Sequence, residues 1–381
     1  MNQAITVEIA LPAPRPQRSG QTRPAKRPHP FVAAGGAGAL KLVLALTLLL
    51  GLVACKQEQP VYNARFLAFG TLVDISLIRI SRADAERVVA AIEQDFTAMD
   101  RAWHAWRPGP LGRVNRLLPS GDWFAAPPSV LPLVKLGQRY ARQSDDLFDP
   151  AIGRLIALWG FHKDHPECRP PPPKEEIERL VRAHPRMSDI DVKGIMMRSR
   201  NPAVQLDFGA FAKGYGIDRA IDHLREMGVR NAIVNAGGDL RAIGSREGRP
   251  WRIAIRAPSG GSTLGFVEVS GDESVFTSGD YERNFIYRGQ TYHHIIDPRT
   301  GYPARGFHSV TVIHTDGATA DAAATALFVA GPKRWVEIAR RMGVHEVLAV
   351  DYAGTLHMTP AMAKRVRLLE HNPDISLSEP L

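Results

Sequence analysis

The sequence predicts a mixed α+β fold. From residue 192 onward, short apolar segments separated by turns follow one another in meander-like runs. Amphipathic helical stretches interrupt them irregularly, unlike the strict alternation of a doubly wound sheet. No period of twenty to fifty residues repeats, which excludes a solenoid. A chain of 381 residues with 44% apolar and 23% charged side chains has ample material for a core.

The elements follow in chain order. Residues 1–54 carry Arg15, Arg18, Arg23, Lys26, Arg27 and Lys41 against Glu8 alone, so they account for five of the nine net positive charges. The remainder is only weakly basic and has no basic stripe with interleaved aromatics, which sets nucleic acid aside. Behind Lys41, the apolar run 42–50 is short for a bilayer span and suits a secretory signal core. It ends in Leu52-Val53-Ala54-Cys55, which resembles a bacterial lipoprotein signal with Cys55 as the acylated residue; an uncleaved anchor is the alternative reading. Lys56 follows where an inner-membrane retention signal would place aspartate. Residues 55–64 form a polar tether. With Cys55 lipidated, Cys168 is the remaining thiol and reads as incidental. No CxxC or paired His/Cys spacing points to zinc or iron–sulfur.

Residues 66–80 read as strand, turn, strand. A helix capped by Ser81 runs to about residue 101, with Val88, Val89, Ile92, Phe96 and Met99 at three- and four-residue steps. Trp103 and Trp106 follow, as packing or as a stacking platform. A loop at 121–128, a helix at 129–143 and a helix at 151–159 come next. Asp149 before Pro150 reads as an N-cap. The proline-rich loop 168–173 reads as a boundary or surface insertion before a charged helix at 174–183. Strands are predicted at 192–199, 203–207, 231–236, 239–243, 251–256, 264–270, 273–277, 283–288, 291–296 and 308–314, with helices near 211–228, 318–330 and 333–342.

The chemistry gathers at 206–220, LDFGAFAKGYGIDRA. Gly209, Ala210, Gly214 and Gly216 let backbone approach a ligand, and Lys213 supplies a cation at a helix start, where free N–H groups favour anions. Asp207 is placed to face a metal or a hydroxyl. Close packing alone is the other reading. Farther on, Asp321 and Thr325 stand four apart on a helix, so both oxygens project from one face. That pair suits a hard cation such as magnesium; the alternative is that Thr325 bonds back to the helix and Asp321 is merely solvated.

Taken in order, FGTLVDI, FDPAIGRLIALWGF, LDFGAFAKGYGIDRA, NAGGDL, TSGDYER, HHIIDPRTGYP and TADAAATALFVAGP resemble the ApbE-type FAD:protein FMN transferases over residues 62–366. The resemblance implies mixed sheets with flanking helices over 65–366, in one catalytic unit of two intimately packed subdomains, with 367–381 as a tail. It implies magnesium held by Asp321, Thr325 and the Ala210 carbonyl. FAD is expected against Phe69, Trp106, Leu147, Phe148, Asp149, Asp207, Lys213, His294, Ile295 and Asp297. His294 is the expected general base, and Asp297 is expected to orient the imidazole or the flavin. The implied reaction places FMN from FAD on a threonine of an acceptor protein and releases AMP. The implied acceptor is a subunit of a membrane redox complex, and the implied location is the periplasm-facing cell envelope. FAD hydrolysis and FAD binding without chemistry are the alternative activities. The stretch 102–115, AWHAWRPGPLGRVN, departs from the family's polar pattern. Asp316-Gly317-Ala318-Thr319 superficially matches an acceptor motif and is expected to be a structural turn.

Overall fold

The computed structural model describes residues 61–163 and 166–381. The leader, Cys55 and the first part of the tether lie outside these. Among the described residues no helix is long and apolar enough to cross a membrane.

β1 (Tyr62–Ala68) and β2 (Thr71–Leu77) form a hairpin turning at Phe69 and Gly70, so the first strand begins inside the expected tether. α1 (Arg82–Trp103) starts where the Ser81 hydroxyl accepts the Asp84 N–H, and of its predicted stripe Val88, Val89, Ile92 and Phe96 are buried and Met99 is half-buried against them. α2 (Pro110–Leu117) occupies the departing stretch, where Gly109-Pro110 obscures a helix start. β3 (Phe124–Ala125), α3 (Leu131–Gln143), α4 (Gly153–Trp159) and α5 (Lys174–Ala183) follow. The loop before α5 is no domain boundary, because Ile177 and Leu180 of α5 share a core cluster with Trp159, Phe161, Phe285 and Tyr292.

The expected strand 192–199 is a hairpin, β4 (Ile190–Lys193) and β5 (Met196–Ser199), reversing at Gly194 with φ +61°. The expected strand 203–207 does not form. Its backbone is held instead by loop contacts to residues 150–153 and by the Asn115 amide, which accepts the Leu206 N–H at 2.8 Å and donates to the Leu206 carbonyl at 2.9 Å. α6 (Ala212–Glu226), β6 (Ala232–Ala236), β7 (Asp239–Gly244), β8 (Trp251–Arg256), β9 (Thr263–Val269) and β10 (Gly271–Gly279) come next. The hairpin β11 (Asn284–Tyr287) and β12 (Gln290–His293) ends before His294, three residues short of the predicted strand end. β13 (Phe307–His314) and α7 (Gly317–Met342) follow; α7 is broken at Gly331-Pro332, where Gly331 has φ 65° and ψ −178°, so it is the two helices the sequence suggested.

The main sheet runs β1-β2-β6-β7-β10-β13 and continues through β14 (Glu346–Asp351) and β15 (Leu356–Met358). After the short α8 (Pro360–Ala363), β16 (Arg367–Leu368) joins β8 and β9 in a small sheet, and β17 (Ile375–Leu377) pairs parallel with β15 at the edge of the main one. The expected C-terminal tail is therefore sewn into two sheets. One face of the main sheet packs on α1, α6 and α7, and the other on the small sheet through Ile233, Leu240 and Val275 against Trp251, Ile253 and Val267. Burial on both faces explains why β6 is apolar on both sides.

Candidate functional site

A cleft of about 440 Å³ opens where the β1–β2 turn, the starts of α6 and α7, the end of β10 and the segment after β12 converge. Of the residues expected at the site, Phe69, Trp106, Leu147, Phe148, Asp149, Asp207, Ala210, Lys213, His294, Ile295, Asp321 and Thr325 all line it.

Local sequence sets each of them. Phe69 takes φ +52° in the hairpin turn, and its ring stacks on Trp103 at 5.9 Å. A side chain at Gly216 would put Cβ 2.9 Å from that ring, so the glycine is a packing requirement. The tryptophan pair divides: Trp103 donates to the Ser129 carbonyl at 2.8 Å as a core residue, while the Trp106 indole donates to Asp207 at 3.2 Å. The other Asp207 oxygen accepts the Gly209 N–H at 2.8 Å, so this carboxylate shapes the loop that presents Ala210. Asp149 is not an N-cap, since α4 begins at Gly153. It accepts the Ala151 N–H at 2.8 Å and the Met187 N–H at 3.1 Å, and burial pushes its carboxyl up to about 7.

Asp321 and Thr325 project from the first turns of α7. The Asp321 carboxylate accepts the Gly214 N–H at 3.0 Å, and the Thr325 hydroxyl lies 3.0 Å from that of Ser278. Burial pushes Asp321 well above the ordinary carboxylate range, against the pull of Lys213. Lys213 forms an ion pair with Asp239, whose other oxygen accepts the Thr277 N–H at 3.0 Å. Burial works to lower the Lys213 ammonium; Asp239 and Asp321 outweigh it and hold it above its usual range. Asp321, Thr325 and Ala210 all line this cleft, and the donors they carry, a carboxylate, a hydroxyl and a main-chain carbonyl, are hard oxygens, a set that fits magnesium and not a thiophilic metal.

Opposite them, the Arg283 carbonyl accepts both the His294 main-chain N–H at 3.0 Å and the ring Nδ1–H at 3.2 Å. A carbonyl only accepts, so the proton sits on Nδ1 and the Nε2 lone pair is left for a ligand. Burial, reinforced by the Arg283 guanidinium, lowers His294 to about 3 and keeps it neutral. His293 points away into the core, with Nε2 2.9 Å from the Ala304 carbonyl. Asp297 is a correction. Its carboxylate accepts the Arg299 N–H at 2.9 Å and pairs with the Arg299 guanidinium, so it closes the turn after the strand and does not orient His294. The Asp316 motif is likewise structural: Asp316 caps α7 by accepting the Thr319 N–H at 2.7 Å, and Thr319 is buried.

Asp239, Ser278, Asn115, Arg283 and Asp218 were not singled out from sequence. The NAGGDL, TSGDYER and GIDRA stretches contained four of them, but partners 26 or 47 residues away leave no local signature.

Fold and cleft define the class: a mixed α+β protein that sets hard oxygen donors, a paired ammonium and a neutral imidazole around one ligand-sized hollow. The chain belongs to the ApbE family, whose model matches residues 69–349. It is 40% identical to the FAD:protein FMN transferase of Rhodobacter capsulatus over 333 residues, 87% of this chain and 63% of that protein, so it spans less than two thirds of that relative. The FAD:protein FMN transferase of Vibrio cholerae is 33% identical, with 78% of this chain and 90% of that protein covered. Among solved structures, the ApbE protein of Thermotoga maritima superimposes with a TM-score of 0.74 at 33% identity, covering 81% of this chain and all of that one. The apo flavinyl transferase ApbE of Pseudomonas stutzeri gives 0.72 at 30% identity, covering 82% and 98%.

Proposed function

We propose that this chain is an FAD:protein FMN transferase that moves the FMN moiety of FAD to a threonine hydroxyl of an acceptor protein. The names and coverage of its relatives support the transferase reading. The observation that carries the chemistry is the lining of one cleft by Lys213, Asp321, Thr325 and a neutral His294.

The threonine oxygen attacks the FMN-side phosphorus, the pyrophosphate P–O bond breaks, and AMP leaves with the bridging oxygen. The threonine proton passes to His294 Nε2, the ring atom left without a hydrogen by the Arg283 carbonyl. An Nε2 lowered to about 3 in the free protein is a weak base, and the negative pyrophosphate beside it raises its affinity for that proton. Lys213 offsets charge on the phosphate oxygens from a position fixed by Asp239. Asp321, Thr325 and the Ala210 carbonyl would hold magnesium, which when bound supplies Lewis-acid stabilisation to a breaking phosphoanhydride.

We further propose that Cys55 carries a lipid anchor on the periplasmic side of the envelope and that the acceptor is a subunit of a membrane redox complex. The test incubates the protein with FAD, magnesium and a domain bearing an acceptor threonine, and measures acceptor mass. A gain of one FMN unit that disappears when magnesium is chelated is the expected result. FMN and AMP released without acceptor labelling would replace transfer by hydrolysis, and intact FAD with a willing acceptor would reduce the chain to a binder.

A further inference from the structure

We infer that Asp218 is a positioning residue for the reaction: it fixes the first turn of α7, and through it Asp321 and Thr325, against α6. The inference rests on the proposed role of those two side chains as cation ligands.

Asp218 lies on α6 four residues beyond Gly214, so both face α7 from successive turns. There the helices approach closely. A Cβ at Gly214 would lie 2.3 Å from the Gly317 carbonyl oxygen and 2.9 Å from Asp321 Cβ, and a Cβ at Gly317 would lie 2.7 Å from the Asp218 carboxylate. A helix start leaves its first N–H groups without intrahelical partners. In α7 the Asp316 side chain takes the Thr319 N–H, while the two oxygens of Asp218 take those of Gly317 and Ala318, each at 2.9 Å. The cap for two of these groups thus comes from a neighbouring helix, so it also fixes where α7 sits along α6.

Asp321 follows Gly317 by four residues, so the capped turn lies directly below the carboxylate that accepts the Gly214 N–H. Asp218 is fixed in turn. Arg241 of β7, buried like Asp218, donates to it at 2.5 Å and forks onto Asp272 of β10 at 2.8 and 2.9 Å; Arg225 of α6 also pairs with Asp272. A carboxylate held by a guanidinium and two backbone N–H groups has little freedom to follow a displaced helix.

The variant Asp218→Asn can accept for only one of the two N–H groups and leaves Arg241 half unpaired. The double variant Asp218→Asn/Arg241→Gln removes both charges and separates charge balance from positioning. Three quantities are read: the magnesium concentration for half-maximal transfer, the rate at saturating magnesium, and amide hydrogen exchange over 317–321 in metal-free protein. In both variants the half-saturating magnesium should rise about tenfold or more, the size of effect that loss of an outer partner has on metal affinity. The saturated rate should fall much less, and the 317–321 amides should exchange faster. The double variant also takes two bonds from Asp272, which keeps Arg225, and it should keep the weakened magnesium response even with both buried charges gone. An unchanged magnesium response and unchanged exchange would overturn the inference, as would recovery of the magnesium response in the double variant, which would make Asp218 only a counter-charge for Arg241. If the single variant does not fold, the double variant decides alone. A wild-type protein indifferent to magnesium would overturn the cation reading instead, leaving the exchange result to decide whether Asp218 fixes α7.

Discussion

Desolvation disfavours charge on both walls of the cleft, and the two walls answer it differently. On the α6–α7 wall it pushes Asp321 up and would lower Lys213, were that ammonium not paired with Asp239. On the wall that follows β12 it drives His294 to about 3, just as it drives the core residue His293 to about 4. On one wall the Lys213–Asp239 pair keeps its charges while Asp321 is pushed toward its neutral form; the other wall sheds charge and presents a lone pair. The contrast shows how one desolvated hollow can hold an anion-binding side and a proton-accepting side a few side chains apart.

The comparison breaks most completely if either wall is truncated. His294→Asn should slow acceptor labelling by roughly 10²–10⁴-fold, the usual contribution of a positioned general base, and Asp321→Ala by at least as much; single-turnover labelling checks both. Next in size, Lys213→Met leaves Asp239 buried without its cation, which should cost about 3 kcal/mol of stability by denaturant titration and weaken FAD binding.

Smaller still is a pH effect on the two neighbouring imidazoles. Below an ordinary histidine pKa of about 6.5 the unfolded chain takes up protons that folded His293 and His294 refuse until about 4 and 3. The stability due to their neutral forms is therefore complete above about pH 6.5 and is lost as pH falls toward 3. His294→Gln should gain on wild type by a few degrees of melting temperature between pH 7 and pH 4.5, whatever its offset at neutrality. The smallest effect belongs to Asp297→Ala. It removes a turn and an ion pair outside the cleft, so about 1 kcal/mol of stability should go while the pH profile of labelling keeps its shape. A displaced profile would return Asp297 to the imidazole.

The four-residue step from Asp321 to Thr325 and the small residues around Lys213 are local, and both line the cleft. Spacing alone left them open to close packing or a back-bonded threonine, and it was the resemblance of seven ordered stretches to a family that singled them out as a site. Asp297 shows where locality misleads. Three residues from His294 it looks like a partner, yet the turn through Thr300 and Gly301 commits its carboxylate to Arg299. The Lys213–Asp239 pair, the Asn115 clamp on Leu206 and the Asp218 cap are products of tertiary packing, which no spacing encodes. Of the strands after residue 345, β15, β16 and β17 are two or three residues long and exist through their sheet partners, while the six-residue apolar β14 carried a local pattern that was not read.

The first strand has a consequence for reach. β1 starts at Tyr62 and runs straight into the Phe69 turn at the cleft. On the anchoring proposed above, six residues lie between the lipidated Cys55 and Tyr62, a leash of seven Cα steps that is at most about 25 Å when fully drawn out. The cleft would then patrol a thin layer over the bilayer, and an acceptor threonine standing far above that layer would be out of range however well its sequence suited the enzyme.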